Sequence, residues 1–196
     1  MKKKTQTKKK TNSKYYFDRS AGFCRHTKGE WAGKQIKLAK WQKDQIIIPA
    51  FGHRRISDGM RQYRTIYVEI PRKNGKSTLA APIALYLTMA DGEGGAEVYT
   101  AAGDKEQARI VYGVARDMIA QDPILEKAVE SLKDSIFHKK SMSVMKVISA
   151  EAYTKHGFNS HGIVIDELHV QPNRELYDTL VTSTGARSQP MTFIIT

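Results

Sequence analysis

The sequence predicts an α/β fold, a mainly parallel sheet flanked by helices, and two observations carry that expectation. Short β-branched or apolar runs alternate with helical runs along the chain. Several strand candidates, above all Gly162–Asp166 (GIVID) and Met191–Thr196 (MTFIIT), are apolar at nearly every position rather than every second one. A strand apolar on both faces is covered on both faces, which is what helices do to a parallel sheet.

The elements follow in order. Gly22, Gly29 and Gly33 break any long helix before residue 40. From Leu38, LAKWQKDQIIIPAFG predicts a short amphipathic helix that stops before Pro49, because the residue preceding a proline is pushed away from helical dihedrals. Residues 53–64 read as an exposed loop turning at Asp58-Gly59, and Thr65–Pro71 (TIYVEIP) as a buried strand. Ser77–Met89 is a helix with Pro82 in its first turns, DGEGG (Asp91–Gly95) a turn, and Ala96–Ala102 a second strand. Asp104 caps a helix reaching about Gln121. Ile124–Asp134 reads as a shorter helix, Ser143–Ser149 as a strand and Arg174–Thr182 as a helix.

A length of 196 residues corresponds to about one domain. No run approaches the ~18 apolar residues of a membrane helix, and no apolar stretch follows the basic N-terminus as a secretory signal requires. The single cysteine, Cys24, excludes an intramolecular disulfide framework and fits a reducing, cytoplasmic setting. The net charge of +12 is uneven: residues 1–14 hold seven lysines and no acid, leaving 25 bases against 20 acids, or +5, for residues 15–196. A tail of Lys, Thr, Gln, Asn and Ser builds no core and reads as a flexible basic segment. It is either a phosphate-contacting arm or a solubilising leader. The chain stops at the end of an apparent buried strand, so the domain over 15–196 is expected to be C-terminally truncated.

The strongest chemical signal is IPRKNGKST, residues 70–78. A strand, a Gly-Lys-Ser turn and a helix start form the context of a phosphate-binding loop. Backbone N–H groups of the turn and helix end face the anion, and the helix dipole adds to their field. Gly75 permits close backbone approach, Lys76 reaches the β- and γ-phosphates, and Ser77 places its hydroxyl on Mg²⁺. Arg72 and Lys73 add positive charge, while Asn74 and Thr78 complete the segment that lines the nucleotide. The usual leading glycine is replaced by Ile70, so the match is partial.

The second signal is GIVIDELH, residues 162–169. A strand buried to its C-terminal end delivers Asp166 to the sheet edge, where open α/β folds bind ligands. Asp166 would hold the Mg²⁺, and Glu167 would polarise the attacking water as general base. The plain alternative is a solvated acidic strand end before a helix cap. The two motifs, about 90 residues apart, are the halves of one ATP site, which makes the expected class a P-loop NTPase with ATP and Mg²⁺ as cofactors.

These residues resemble the ATPase domain of the large terminase subunit of tailed bacteriophages. PRKNGKS is similar to that family's deviant Walker A, and Trp41-Gln42 with IIIPAFG to its adenine-contacting segment. KVISAEAYTKHGFNSHGIVIDELH, with Gly157, resembles the approach to its Walker B, and GARSQPMTFIIT the segment leading into its coupling motif. The resemblance spans roughly residues 30–196. It implies a RecA/ASCE-like fold, an adenine contact from Gln42 with Trp41 packing, and a γ-phosphate-sensing role for Arg72. It also implies a coupling role for Thr196. The implied activity is a Mg-dependent ATPase that packages double-stranded DNA into the procapsid, as a homo-oligomeric ring with portal protein and small terminase subunit in the host cytoplasm. The family's C-terminal nuclease is not expected within these residues. Arg187 is expected in a loop beside the site, as an arginine finger or a structural ion pair.

Two other readings stand beside this one, a helicase-like nucleic-acid-dependent ATPase and a truncated nucleotide-binding remnant without turnover. The six histidines form no zinc pattern, and His169 is expected to be a local hydrogen-bond partner. The basic pairs Arg54-Arg55, Arg61/Arg64 and Lys139-Lys140 are expected on the surface, where they would line a DNA path or simply be solvated.

Overall fold

The computed structural model describes residues 24–150 and 157–196. The basic tail and part of the segment approaching GIVIDELH therefore lie outside the described residues. The fold is α/β, with one seven-stranded sheet in the order β1-β7-β6-β2-β5-β4-β3. The strands are β1 (Thr65–Val68), β2 (Glu97–Ala102), β3 (Val129–Ser131), β4 (Ser135–His138), β5 (Ser143–Ser149), β6 (Ser160–Asp166) and β7 (Met191–Ile195). From β1 to β5 all pairings are parallel; β5-β4-β3 closes the far edge as an antiparallel meander. The helices are α1 (Lys40–Gln42), α2 (Lys76–Met89), α3 (Lys105–Ala120), α4 (Pro123–Ala128) and α5 (Glu175–Thr182).

Strand periodicity sorts the core into two layers. On one face Val98, Val164, Met191, Phe193 and Ile195 pack under α2 and α3. On the other, Tyr99, Ala101, Ile163, Ile165 and Ile194 pack under α5 through Leu176 and Leu180. α2 is buried on all sides from Leu79 to Thr88, so it is a central helix rather than an amphipathic cover. Its approach to β6 explains Gly162: a β-carbon there would lie 3.0 Å from Leu87 Cδ1 and 3.1 Å from both Val98 methyls. α3 is amphipathic, and Asp104 caps it as expected, accepting Gln107 N–H at 2.8 Å.

Two sequence expectations fail, and both yield to tertiary burial. The helix from Leu38 does not stop before Pro49. α1 runs on as a π-helix, Lys43–Gly52, with Pro49 inside it. Ile46, Ile47, Ala50 and Phe51 are all buried, so the core holds this segment wound, and the wide spacing of a π-helix accommodates the ring. The helix expected over Ile124–Asp134 ends at Ala128, and the chain turns into the β3-β4 hairpin. Asp122 and Pro123 start α4 well, but Val129 and Ile136 are buried in the extended pairing that leads to β5.

Arg61 is a third correction. It lines no surface path, because it is 1 % exposed. Its guanidinium pairs with Asp91, which also takes His161 Nε2 at 2.8 Å, and Arg61 Nη1 donates to Gln189 O at 3.1 Å. The DGEGG turn is thus one side of a buried polar network that ties the 53–64 loop to the N-terminal ends of β6 and β7. Among the described residues no helix is long and apolar enough to cross a membrane.

Cys24 is 2 % exposed, and burial, with the Asp122 charge adding, pushes its thiol up to about 12. The thiolate is the reacting form, so at pH 8 iodoacetamide should alkylate the folded chain at least about a hundredfold more slowly than the urea-unfolded chain. Equal rates in the two states would contradict the burial.

Candidate nucleotide site

Three parallel strands end in one row. Val68 of β1 pairs with Ile195 of β7, and Ile195 pairs with Asp166 of β6. Pro71, Arg72 and Lys76 after β1, Glu167, His169 and Val170 after β6, and Thr196 after β7 line a cleft of about 580 Å³ together with Gly103, Asp104 and Gln107 from the β2-α3 turn.

The loop after β1 turns sharply into the start of α2. Ile70, which replaces the usual leading glycine, is still part of the sheet edge: its N–H donates to Thr196 O at 3.0 Å and its side chain is buried. The loop proper starts at Pro71. Lys73 and Gly75 take left-handed dihedrals, φ 66° and 76°, and the Asn74 side chain donates to Pro71 O and Arg72 O, closing the turn on itself. Gly75 caps α2 without a side-chain bond, and the first intrahelical bond is Leu79 N–H to Gly75 O. The N–H groups of Lys76, Ser77 and Thr78 therefore leave the helix end without intrahelical acceptors, an anion-binding geometry.

The acidic pair is split by the end of β6. Asp166 continues the strand on the α2/α3 face and is 5 % exposed. Gln107 Nε2 donates to its Oδ2 at 3.0 Å. Burial pushes the Asp166 carboxyl above its ordinary range; the Gln107 bond opposes this and the Glu167 charge adds to it. Glu167 leaves the strand in a left-handed conformation, φ 51°, uncommon for a side chain of this kind. That turn aims its carboxylate back over β7. Lys76 Nζ lies 2.9 Å from Glu167 Oε1, and the Thr196 hydroxyl donates to Oε2 at 2.9 Å. The Thr196 proton is thereby committed, so its 2.7 Å contact with His169 Nδ1 is one in which the ring N–H donates. The Lys76 bond first, with Thr196 adding, holds Glu167 below the usual carboxylate range. The adjacent carboxyls are thus driven in opposite directions, Asp166 by burial and Glu167 by the Lys76 bond.

The sequence-predicted residues are distributed unevenly over this cleft. Lys76, Asp166, Glu167 and Arg72 line it, with Arg72 exposed at its mouth. Lys73, Asn74, Gly75, Ser77 and Thr78 form the loop and helix start that adjoin it. Gln42 is half-buried in α1, where its Oε1 accepts Ala39 N–H at 2.9 Å, and it is not among the cleft-lining residues. Arg187 is not beside the site. It sits at the opposite end of the strands, with Nε on Asn159 O at 3.1 Å, Nη2 on Gly95 O at 2.8 Å and Glu93 at 3.6 Å. Sequence reading missed Gln107, whose only local signal is its place three residues after a helix-capping aspartate.

A magnesium ion fits this donor set. Mg²⁺ keeps several waters and takes one or two protein oxygens plus substrate phosphates. That matches a desolvated Asp166 and the Ser77 hydroxyl.

Fold, loop and acidic strand end together define a P-loop nucleoside-triphosphatase. The model of the terminase large subunit ATPase domain matches residues 40–196, and the chain belongs to that family. It is 28% identical over 181 residues to the terminase large subunit of Enterobacteria phage HK97, covering 88% of this chain and 34% of that protein. The chain thus spans about a third of the length of that relative. The crystal structure of the HK97 large terminase superposes with a TM-score of 0.80 at 24% identity, over 93% of this chain and 37% of the other. The large terminase ATPase domain of Thermus phage P74-26 superposes with a TM-score of 0.56 at 15% identity, over 78% of this chain and 68% of that one.

If Arg187 is a structural clamp between the DGEGG turn and the start of β6, Arg187→Ala should lower the melting temperature by several degrees. Nucleotide affinity should stay within about twofold of wild type. A variant with unchanged melting and lost nucleotide affinity would place Arg187 at the site after all.

Proposed function

We propose that this chain is the ATP-hydrolysing motor domain of a phage terminase, powering the movement of viral double-stranded DNA into the procapsid. The observation that carries the reading is the Lys76–Glu167 pair across β7, beside a buried Asp166 at the same sheet edge.

In this reading the triphosphate lies on the Pro71–Thr78 loop, held by the outward N–H groups of the α2 start. Mg²⁺, when bound, neutralises charge on the β- and γ-phosphates, and the Ser77 hydroxyl and Asp166 carboxylate would hold it. Lys76 is shared between two anions. A γ-phosphate competes for its ammonium, and each step of Lys76 toward phosphate unloads Glu167 Oε1. The released carboxylate then takes a proton from the attacking water as general base. The Lys76 bond that holds Glu167 below its ordinary range also holds down its basicity, and loss of that bond to the phosphate returns it. Thr196 stays on Oε2, so the charge state of Glu167 is felt at the end of β7. This is the physical content of the coupling role assigned to Thr196. Arg72, at the mouth, is assigned to the γ-phosphate. The Gln42 cap uses Oε1, and its Nε2 is the group assigned to the adenine.

Double-stranded DNA, a portal protein, a small terminase subunit and a homo-oligomeric ring in the host cytoplasm belong to the proposal through family membership. The proposal for these residues is confined to hydrolysis and movement.

Calorimetry with Mg-ATP and phosphate release in the same sample test the site. Lys76→Ala should weaken binding by about ten- to a hundredfold, the worth of one charged hydrogen-bond donor, and unchanged affinity would remove the phosphate-loop assignment. Glu167→Gln keeps the shape and loses the base; binding should persist while turnover falls by about 10²–10⁴. Wild-type turnover in that variant would move the base elsewhere.

A further inference from the structure

We infer that Gln107 is the positioning residue of this site, holding Asp166 so that one carboxylate oxygen is presented to the divalent cation. The inference rests on the nucleotide-site reading above and concerns a residue that neither motif contains.

Gln107 reaches Asp166 from a different part of the chain. Asp166 ends β6, whereas Gln107 stands in the first turn of α3, and the bond between Nε2 and Oδ2 measures 3.0 Å. Chemistry fixes the orientation of the amide. A carboxylate only accepts, so the NH₂ end faces Asp166 and the carbonyl end turns away from it. Gln107 is the one residue whose side chain donates to Asp166 among the described hydrogen bonds. Oδ1 takes no such donor among those bonds, and Asp166 lines the same cleft as Lys76 and Glu167.

The backbone beneath Gln107 is itself held. Its N–H is capped by Asp104 Oδ1 at 2.8 Å, and the next residue, Ala108, is 1 % exposed in the core. The turn leading into the cap has little room to shift: a β-carbon on Gly103 would meet Val170 O at 3.3 Å. The amide is thus delivered by a rigid helix start wedged against the segment that follows Glu167. Without it, Asp166 would keep its place in the strand and lose the contact that fixes the rotation of its carboxylate. Partners of this kind, hydrogen-bonded to a metal-binding group, are worth about ten- to a hundredfold in metal affinity.

The test uses the whole chain and Mn²⁺ as the probe. Mn²⁺ is titrated in the presence of a non-hydrolysable ATP analogue, and unbound Mn²⁺ is followed by electron paramagnetic resonance. Affinity for the analogue in EDTA is measured separately. Gln107→Met keeps length and removes the donor. It should weaken Mn²⁺ binding about ten- to a hundredfold, leave metal-independent nucleotide affinity within about twofold, and melt within a few degrees of wild type. Gln107→Asn keeps the amide on a shorter arm and should fall between Met and wild type, and it supplies the reading if the Met variant does not fold. Mn²⁺ affinity within about twofold of wild type in both variants overturns the inference. So does a parallel loss of metal-independent nucleotide affinity, which would make Gln107 a general support of the cleft. If wild type and Lys76→Ala bind the analogue equally, the nucleotide-site reading fails, and the Gln107 role falls with it.

Discussion

The register of three parallel strands is the constraint on which the site depends. Val68, Ile195 and Asp166 lie in one hydrogen-bonded row, so the chain leaves β1, β7 and β6 at the same height. Slip β6 by one residue and its side chains exchange faces, turning Asp166 toward α5 and away from α2 and α3. Both faces of the strand are packed, by Val164 on one side and by Ile163 and Ile165 on the other, and this burial fixes the register. The apolar core thereby aims the carboxylates.

On that row the two acidic neighbours acquire different work. Asp166 is the last residue of the strand and keeps its direction, which desolvates it against α2 and α3. Glu167 is the first residue outside, and its left-handed backbone sends it over β7 to Lys76 and Thr196. Such a conformation costs about 1–2 kcal/mol for a residue with a β-carbon, and the ion pair and hydroxyl contact are what it gains. A glutamate in plain strand geometry would point to the opposite face from Asp166, and Lys76 would have no partner there.

The opposite ends of the same strands carry charge of another kind. Arg61, Asp91 and His161 are buried together, and Arg187 and Ser188 bind Glu93 of the same turn. Removing one member of a buried pair strands the other, at a cost of about 3–5 kcal/mol, so this network pins the loops that precede β6 and β7. The buried Arg61–Asp91 pair thus lies at the N-terminal edge of these strands, and the partly exposed Lys76–Glu167 pair at their C-terminal edge.

The sequence by itself determined the α/β class, the parallel strands GIVID and MTFIIT, and the Gly-Lys-Ser turn and acidic strand end that meet at one sheet edge. Each of these is a local pattern whose physics is complete within a few residues: period, turn chemistry, or a carboxylate at an apolar strand end. The structure alone decided the rest. It carried the isoleucine-rich helix through Pro49, replaced the expected helix end after Ala128 with a hairpin, and buried Arg61. It placed Arg187 at the far edge and brought Gln107 to Asp166. In every one of these cases the outcome depends on what packs against the segment from elsewhere in the chain. Local propensities of about 1 kcal/mol yield to the burial of whole side chains, each worth about 1.5–3 kcal/mol. Contacts such as Gln107 to Asp166, 59 residues apart, leave no periodic trace in the sequence.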